Sequence, residues 1–325
     1  MNDLAQFVSA ITQPVKVPQV VLVEDLHESM EKLYRHGIPK GKRTGWSSLD
    51  EWYTVRKREW TLITGYPNHG KSCWLDNLLI NLATREQWKV GIFSAENQPV
   101  EQHIASLLEI YLGQPFSDGP TPRMSKAQMK TGLEWLNEHF KFIKPDLPDR
   151  RLDKILEVGG YLVGKYAVDA LVLDPWNELD HARPHHMRED EYISVSLSQL
   201  RDFTRATDVH FFVVAHPAKP KKDPNGSYPV PTMFDVKGAA EWNSKADNGI
   251  AVWRDLLRPE DGTDIHVQKV RFRAVGKAGG GCKLFYDRVT GRFTDPNNKP
   301  SIDDYMRERE RKVEAGLNEP FSGQF

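Results

Sequence analysis

The sequence predicts an α/β protein with a mainly parallel central sheet, and two patterns carry this prediction. From residue 59 onward, short runs rich in Val, Ile, Leu and Phe alternate with longer amphipathic stretches. Such runs, when helices separate them, are typical of strands in a parallel sheet that is covered on both faces. The second pattern is a glycine-rich loop that follows the first apolar run and opens an amphipathic stretch. The last runs predict an antiparallel element at the end of the sheet.

The predicted strands, in chain order, are EWTLITG, KVGIFSAE, DALVLDP, VHFFVVAHP, NGIAVWR, HVQKVRF and CKLFYD. Helices are predicted after the first three of these runs, in a segment through Leu82, from Val100 to Leu112 and across residues 191–206. These elements predict one central domain, and the sequence contains no internal repeat.

Two appendages are expected to flank that domain. The predicted regions are an N-terminal linker helix region at 1–40, the central domain at 41–298 and a charged C-terminal tail at 299–325. In the first region the segment VEDLHESMEKLYRHG has a helical apolar stripe formed by Leu26, Met30, Leu33 and Tyr34. This stripe needs a partner surface, for which a neighbouring subunit is one candidate. The tail is predicted to be helical or disordered.

Composition limits the class of protein. The 325 residues are 39% hydrophobic and 27% charged, with a net charge of −1. No apolar run approaches the roughly 18 residues that span a bilayer, and the N-terminus lacks the pattern of a signal peptide, which predicts no membrane association and a cytoplasmic protein. Cys73 and Cys282 are the two cysteines, too few for a disulfide scaffold or a cysteine zinc site. The net charge neither indicates nor excludes nucleic-acid binding.

The segment Gly65–Ser72, GYPNHGKS, fits the phosphate-loop pattern G-x-x-x-x-G-K-[ST] between a predicted strand and a predicted helix. In this pattern backbone N–H groups face the phosphates, the lysine reaches the β and γ oxygens, and the serine hydroxyl ligates Mg²⁺. The alternative is a chance loop between strand and helix. The predicted nucleotide-binding residues of this segment are Gly65, Asn68, His69, Gly70, Lys71, Ser72 and Cys73, and a small buried thiol is the structural alternative for Cys73.

Three polar residues stand where later strands end, which is where open α/β sheets place their ligands. Asp174 ends ALVLD and is the candidate Mg²⁺ anchor, whereas a strand-terminal cap is its structural alternative. Glu96 ends VGIFSAE and is the candidate base that orients and deprotonates an attacking water, unless it is a surface residue or a helix N-terminal partner. His216 ends HFFVVAH and could sense the γ-phosphate, although a histidine satisfied by backbone is the plainer interpretation for a lone residue.

Together these motifs resemble those of the ring-shaped replicative DNA helicases of the DnaB-like superfamily. The segments that carry the resemblance are GYPNHGKS, SAEN, LVLDPWNEL, VVAHP, DVKGAAEWNSKADNGIAVWRD, VQKVRFRAVG and LFYDRVTGRF. They cover about residues 40–292, in the order seen in Twinkle-like helicases and in the helicase half of phage primase-helicases. Many ATPases have the phosphate loop, whereas GAAEWNSKADN and KVRF are more specific. The resemblance implies a RecA-like P-loop NTPase core.

The resemblance also implies roles that residue chemistry alone leaves open. Lys269 and Arg271 match the cations that a neighbouring subunit inserts against the γ-phosphate, with Arg271 as the arginine finger. The spacing of two places both on one face of a strand, but a pair of exposed cations is the alternative. Tyr286 matches a position that stacks on the nucleotide base, and a core tyrosine is its alternative.

DNA contacts are implied for the loops that follow Asp174 and His216. The candidate residues are Arg183, Arg188, Lys219, Lys221, Lys222, Lys237 and Asn243, with His185 and His186 in the first loop. Loops rich in Pro, Gly and Lys suit tracking along phosphates without reading bases, whereas solvated charges on mobile loops are the alternative. Phage members carry arginines where this chain has Lys237 and Asn243. The histidines at 181, 185 and 186 match no standard zinc spacing.

The predicted function is therefore NTP-dependent translocation on single-stranded DNA by a homo-oligomeric ring of six subunits that unwinds duplex. ATP or another NTP and Mg²⁺ are the expected cofactors, and a primase or polymerase is a candidate further partner. A RecA-like ATPase that remodels or loads replication or recombination proteins, and a nucleotide-dependent DNA clamp, are the alternatives. The resemblance favours the cytoplasm of a bacterial or phage-infected cell and leaves an organellar matrix open.

Overall fold

The computed structural model describes residues 21–144, 150–218, 222, 228–297 and 307. These fall into two compact units that divide between Pro39 and Lys40. The predicted boundaries at 40/41 and 298/299 stay predictions, and all of the predicted tail except Arg307 lies outside the described residues. Within the described part of the chain, none of the helices combines the length and apolar character that crossing a bilayer requires.

The N-terminal unit contains the helix that the sequence predicts. A 3₁₀ turn at Val23–Leu26 leads into helix α1, His27–His36. The helix stops at Gly37, whose φ of 77° is a conformation that glycine adopts without steric cost. Two ion pairs at i,i+4 spacing stabilise this exposed helix, Glu28 with Lys32 and Glu31 with Arg35. Each contributes about 0.3 kcal/mol.

The second unit is built on one nine-stranded sheet among the described residues. Its spatial order is β3-β2-β4-β5-β1-β6-β7-β8-β9. The parallel strands are β1 Trp60–Thr64, β2 Val90–Ser94, β3 Phe140–Ile143, β4 Ala170–Asp174, β5 His210–Ala215 and β6 Asn248–Trp253. The antiparallel strands are β7 Thr263–Val270, β8 Gly280–Tyr286 and β9 Phe293–Thr294. The predicted α/β class, with a mainly parallel sheet that ends in antiparallel strands, is confirmed.

Helices connect the strands and cover the sheet. They are α2 Ser47–Asp50, α3 Lys71–Glu86, α4 Val100–Leu112, α5 Lys126–His139, α6 Leu152–Tyr166, α7 Glu189–Thr207 and α8 Ala239–Lys245. The elements that the sequence did not predict are α2, α5, α6, α8, β3 and β9. Strand β3 starts directly after α5 with no Gly or Pro between them, so no turn signal marks it. Helix α6 contains Gly159, where a Cβ atom would come within 2.9 Å of the Leu171 side chain, so close packing on β4 explains a residue that is otherwise unfavourable in helices.

Both faces of the parallel strands β1, β2, β4, β5 and β6 are buried, which explains their continuous apolar runs. Ile63 of β1 packs into one core cluster, with residues of α3, α4 and α5 such as Leu78 and Leu107. Its neighbour Leu62 packs into the cluster on the other face, with residues of α6, α7 and α8. Successive side chains of one strand therefore pack into two cores on opposite faces of the sheet, as expected for a three-layer α/β unit.

Strand direction defines two edges that matter for function. We call the edge formed by the carboxyl ends of β1, β2, β4 and β5 the loop edge, because the phosphate loop follows Thr64 there. Strand β7 runs the other way, and its last residue, Val270, pairs with Asn248 at the start of β6. Residues that follow Val270 therefore lie at the opposite end of the strands, which we call the far edge.

His210, the first residue of β5, is a fully buried polar residue at the far edge. Its Nδ1 donates to the Arg56 carbonyl at 2.7 Å, which leaves Nε2 as an acceptor 3.0 Å from the Thr61 hydroxyl. Burial lowers the pKa of His210 to about 4, although the bond to Arg56 opposes this shift. The imidazole is neutral in the folded protein at pH 7.

We expect His210 to make the fold acid-labile. Because its native pKa of about 4 lies below the ordinary 6.5, the unfolded chain takes up the proton first, and protonation favours unfolding. The stabilisation is complete above pH 6.5 and declines as the pH falls toward 4, with about 2 kcal/mol lost by pH 5. Urea unfolding at pH 7 and pH 5 measures the free energy of unfolding at each pH. The loss of this free energy between the two pH values should be smaller in His210→Gln than in wild type by about 2 kcal/mol. The exposed-residue control His27→Gln should behave as wild type; unchanged pH dependence in His210→Gln would contradict the assignment.

Candidate nucleotide site

The phosphate loop lies at the loop edge between β1 and α3. Asn68 and Gly70 have φ angles of 66° and 88°, in the left-handed region, and α3 begins directly after Gly70. A Cβ atom on Gly65 would come within 2.3 Å of the Val252 carbonyl oxygen, so only glycine lets the loop pass β6 this closely. The first N–H groups of a helix lack intrahelical partners, so an anion is favoured at this start of α3.

Lys71 is buried and held over the loop. Its ammonium donates to the Tyr66 carbonyl at 3.0 Å, inside the turn that the phosphates would occupy. Burial lowers the pKa of Lys71, and the nearby Asp174 and Glu96 carboxylates oppose that shift. A buried cation whose main partner is a neutral carbonyl gains strongly from an incoming anion.

The Asp174 carboxylate at the end of β4 is almost fully buried. Burial raises its pKa to about 6; interaction with the Ser72 hydroxyl lowers it, the Asp76 and Glu96 carboxylates raise it, and Lys71 lowers it. Its Oδ1 atom is buried without a hydrogen-bond partner. An orphaned carboxylate oxygen beside the loop serine is the donor set that Mg²⁺ uses in P-loop proteins. Ser72 and Asp174 therefore fit a magnesium site that nucleotide phosphates would complete.

Glu96 and His216 meet at the same edge. The Glu96 Oε1 atom lies 3.7 Å from His216 Nε2, and about half of the Glu96 side chain is exposed. Burial and the Lys71 charge lower the pKa of His216 to about 4, so its imidazole is neutral and its contact with Glu96 is not an ion pair. The His216 backbone N–H donates to the Asn177 side chain at 2.9 Å, which ties the end of β5 to the segment after Asp174.

A cleft of about 390 Å³ opens beside these groups. Ser72, Asp76, Glu96 and His103 line one part of it, and Tyr286 another. His103 Nε2 lies 3.0 Å from Asp76 Oδ1. Burial disfavours the charged form of His103, but the Asp76 carboxylate outweighs this and the pKa of His103 is raised. No sequence pattern indicates this pair, because its members come from different helices.

Arg254, which follows β6, is a further site residue that the sequence analysis missed. Its guanidinium donates to the Asn68 carbonyl at 2.7 Å, and its backbone N–H donates to His69 Nδ1 at 3.1 Å. Burial, Lys71 and Arg254 lower the pKa of His69 to about 4, so the histidine is a neutral member of the loop. The available signal was a cation at the end of the predicted strand NGIAVWR, at the edge where the other ligand residues were placed.

Tyr286 lies at the end of β8 beside the first turn of α3. It interacts with Cys73, whose Sγ donates to the Gly291 carbonyl at 3.7 Å. Burial raises the pKa of the Cys73 thiol to about 12, so Cys73 is a protonated thiol, and it lines the same cleft as Ser72 and Tyr286. Tyr286 is 37% exposed and packs on Phe293, with ring centroids 5.0 Å apart, which leaves part of its ring free to stack.

Lys269 and Arg271 lie away from this site, at the far edge. The Lys269 ammonium donates to the Asn243 carbonyl, and Arg271 Nη2 donates to the Ser244 carbonyl at 2.9 Å. The length of a five-residue strand, about 15 Å, separates this edge from the phosphate loop. The two cations share partners at the end of α8, but they are not placed to reach the nucleotide of their own chain.

The predicted DNA-contacting residues are placed only in part. Arg183 donates to the Met187 carbonyl, Arg188 pairs with Asp190 at 2.6 Å, and Lys237 pairs with Glu189 at 2.7 Å. Lys222 lies over the Tyr228 ring, and Asn243 lies on α8. Lys219 and Lys221 lie outside the described residues. Across the described ranges, no three His, Cys, Asp or Glu side chains group as a metal site, and this covers His181, His185 and His186.

Known proteins are similar to this chain in sequence and in fold. No protein-family model matches it. The Twinkle homolog protein, chloroplastic/mitochondrial, of Arabidopsis thaliana is 35% identical over 300 residues, which is 89% of this chain and 42% of the relative. The chain thus spans less than half the length of that relative.

Solved structures share the fold at low sequence identity. A solved ATPase domain aligns with a TM-score of 0.66 and 16% identity, over 83% of this chain and 98% of that domain. A DnaB-like replicative helicase, described with its interactions with primase, aligns with a TM-score of 0.66 and 16% identity, over 90% of this chain and 71% of that one. The resemblance inferred from the motifs is confirmed: the chain has the RecA-like fold of that ATPase domain and of that DnaB-like helicase, and its sequence is similar to that of the Twinkle homolog protein.

Proposed function

We propose that this chain is an ATP-dependent or other NTP-dependent DNA helicase that translocates on single-stranded DNA as a ring of six subunits and unwinds duplex. The loop edge supplies the nucleotide site: the N–H groups of α3, Lys71 and Arg254 hold phosphates. Ser72 and Asp174 would hold Mg²⁺, which neutralises charge on the transferred phosphoryl group when bound. Glu96 orients the attacking water and takes up its proton.

The observation that supports a ring is that the phosphate loop and the two cations proposed to act with it lie apart within one chain. Lys269 and Arg271 occupy the far edge, about one strand length from the phosphate loop of the same chain. A site that needs these cations must take them from a neighbour, and head-to-tail contacts of this kind form a ring when the rotation between subunits closes.

Two features support coupling to DNA. The segment after Asp174 is bonded to His216 through Asn177, and His216 lies beside Glu96. Loss of the γ-phosphate would therefore change the contacts of His216 and of the segment bonded to it, and so would affect both proposed DNA loops. A primase is a candidate partner, because the DnaB-like helicase with a similar fold is described with one.

A strand-displacement assay on a forked DNA substrate tests the proposal. NTP-dependent displacement is expected from wild type and not from Lys71→Ala. DNA-stimulated hydrolysis without displacement would favour the remodelling ATPase instead. DNA binding that depends on nucleotide but shows no stimulated hydrolysis would favour the clamp.

Glu96→Gln should uncouple nucleotide binding from hydrolysis. The amide keeps the size of the side chain but cannot take a proton from water, so turnover should fall by about 10²-fold or more while nucleotide affinity stays near wild type. Steady-state hydrolysis and equilibrium binding of a fluorescent ATP analogue measure the two effects. The control Glu101→Gln changes an exposed acid on α4 and should leave turnover intact; wild-type turnover in Glu96→Gln would assign the base to another residue.

A further inference from the structure

Arg271 is held at the far edge by a set of contacts that the resemblance does not describe. Its Nε atom lies 2.8 Å from Oδ1 of Asp247, an ionic contact that lacks hydrogen-bond geometry. Its Nη2 atom donates to the carbonyls of Ser244 at 2.9 Å and Ala246 at 3.1 Å. About a third of the Arg271 side chain remains exposed. One end of the guanidinium is therefore fixed while the rest faces outward.

Asp247 is fully buried, which is unusual for a carboxylate. Its Oδ2 atom accepts the backbone N–H of Trp60 at 3.2 Å, so the side chain joins the starts of β1 and β6. A buried carboxylate is costly unless it is paired, and Arg271 is its close ionic partner. The position of Asp247 is set by two strands of the sheet, so it gives Arg271 a rigid anchor.

The carbonyls that bind Arg271 belong to the C-terminal end of α8. The last carbonyls of a helix lack intrahelical partners and carry partial negative charge, so they favour cations. Lys269 donates to the carbonyls of Asn243 and Ser244, next to those that Arg271 uses. Both cations therefore cap the same helix end.

The other end of α8 starts near the nucleotide site of the same chain. Val236, two residues before the helix N-cap Gly238, forms a β-bridge with Pro217, which follows His216. Trp242 fixes the helix between these ends: its ring packs edge-on against Trp60 and Trp176, and its indole N–H donates to the Lys237 carbonyl at 2.8 Å. The helix is a short, well-packed link from the loop edge to the far edge.

We propose that Asp247 is a positioning residue that, together with the C-terminal carbonyls of α8, holds Arg271 in the geometry in which it acts on the nucleotide of the neighbouring subunit. This inference rests on the proposed ring function. Asp247 lies at the far edge, away from the phosphate loop of its own chain. Its loss should therefore impair the nucleotide site of the neighbouring subunit and leave the site of its own subunit intact.

The variant Asp247→Asn keeps an acceptor for the Trp60 N–H and removes the charge that anchors Arg271. We expect DNA-stimulated turnover of the homogeneous ring to fall by about 10²-fold, the scale of a misplacement of about 1 Å, with nucleotide affinity unchanged. Glu59→Gln is the matched control. Glu59 is a buried far-edge carboxylate paired with Arg56 and Asn248, so its loss should alter stability and leave turnover within about 2-fold.

Complementation separates positioning from a structural role. Lys71→Ala lacks the cation of the phosphate loop, and Arg271→Ala lacks the arginine finger. The two variants therefore represent two complementation groups, one with a defective loop and one with a defective finger. Asp247→Asn should regain hydrolysis when mixed with Lys71→Ala, because some interfaces then join an intact loop to an intact finger. It should regain none when mixed with Arg271→Ala, because every interface then has a defective finger.

Each other result overturns the inference. If Lys71→Ala and Arg271→Ala complement each other but Asp247→Asn does not behave like Arg271→Ala, the proposed ring stands and the role of Asp247 fails. If those two do not complement, the proposed function itself fails. Should Asp247→Asn not fold, Asp247→Glu keeps the charge but shifts the anchor and should fall in the same group. Failure of both variants to fold would make Asp247 a structural residue and contradict the inference.

Discussion

Lys71→Ala should abolish nucleotide hydrolysis while the protein stays folded. Lys71 is the buried cation of the phosphate loop, and its ammonium is held by the Tyr66 carbonyl at 3.0 Å where it can contact the β and γ phosphates. Removing a preorganised charge from the site of phosphoryl transfer should lower turnover by about 10³-fold or more. The fold should tolerate the change, because alanine is favourable in the first turn of α3.

Steady-state ATP hydrolysis with and without single-stranded DNA measures the effect, and circular dichroism checks the fold. Lys130→Ala is the control, because it removes an exposed lysine from α5. Hydrolysis by Lys71→Ala at near wild-type rate would remove the phosphate loop from the mechanism.

Arg271→Ala should lower turnover by about 10³-fold while the phosphate loop of each subunit still binds ATP. The reason is the position of Arg271 at the far edge, where it is anchored on Asp247 and on the end of α8. The guanidinium is expected to stabilise transition-state charge on the nucleotide of a neighbour. Its loss therefore affects chemistry rather than nucleotide binding.

Turnover and equilibrium binding of a fluorescent ATP analogue should separate these two effects. Arg273→Ala is a closely matched control, since it removes an exposed arginine two residues further along the chain. Normal hydrolysis by Arg271→Ala, or an equal loss in Arg273→Ala, would contradict the finger assignment.

The parts of the site that sequence predicts well are local. The phosphate loop is defined by contiguous residues whose chemistry depends on the turn they form, and Gly65, Gly70, Lys71 and Ser72 carry the whole pattern. The acids at strand ends were also predictable, because apolar runs mark where parallel strands stop and ligands collect at their carboxyl ends. The structure places Asp174, Glu96 and His216 around Lys71 at one edge.

The parts that sequence missed depend on which elements become neighbours. Arg254 joins the site because β6 pairs with β1. The two strands are far apart in sequence, and no sequence pattern indicates that they pair. The contact of Asp247 with Arg271 depends on the antiparallel pairing of β6 and β7. Family resemblance singled out Arg271, but only the strand directions place it on the far edge.

A mixture of Lys71→Ala and Arg271→Ala subunits tests the central claim most directly. In a head-to-tail ring, random mixing in equal amounts pairs an intact loop with an intact finger at about one quarter of the interfaces. Two inactive proteins should therefore regain DNA-stimulated ATPase activity after subunit exchange, and labelled subunits would verify that exchange. If exchange is verified and the mixture stays inactive, the active site is not shared between subunits, and the account of this chain as a ring helicase is contradicted.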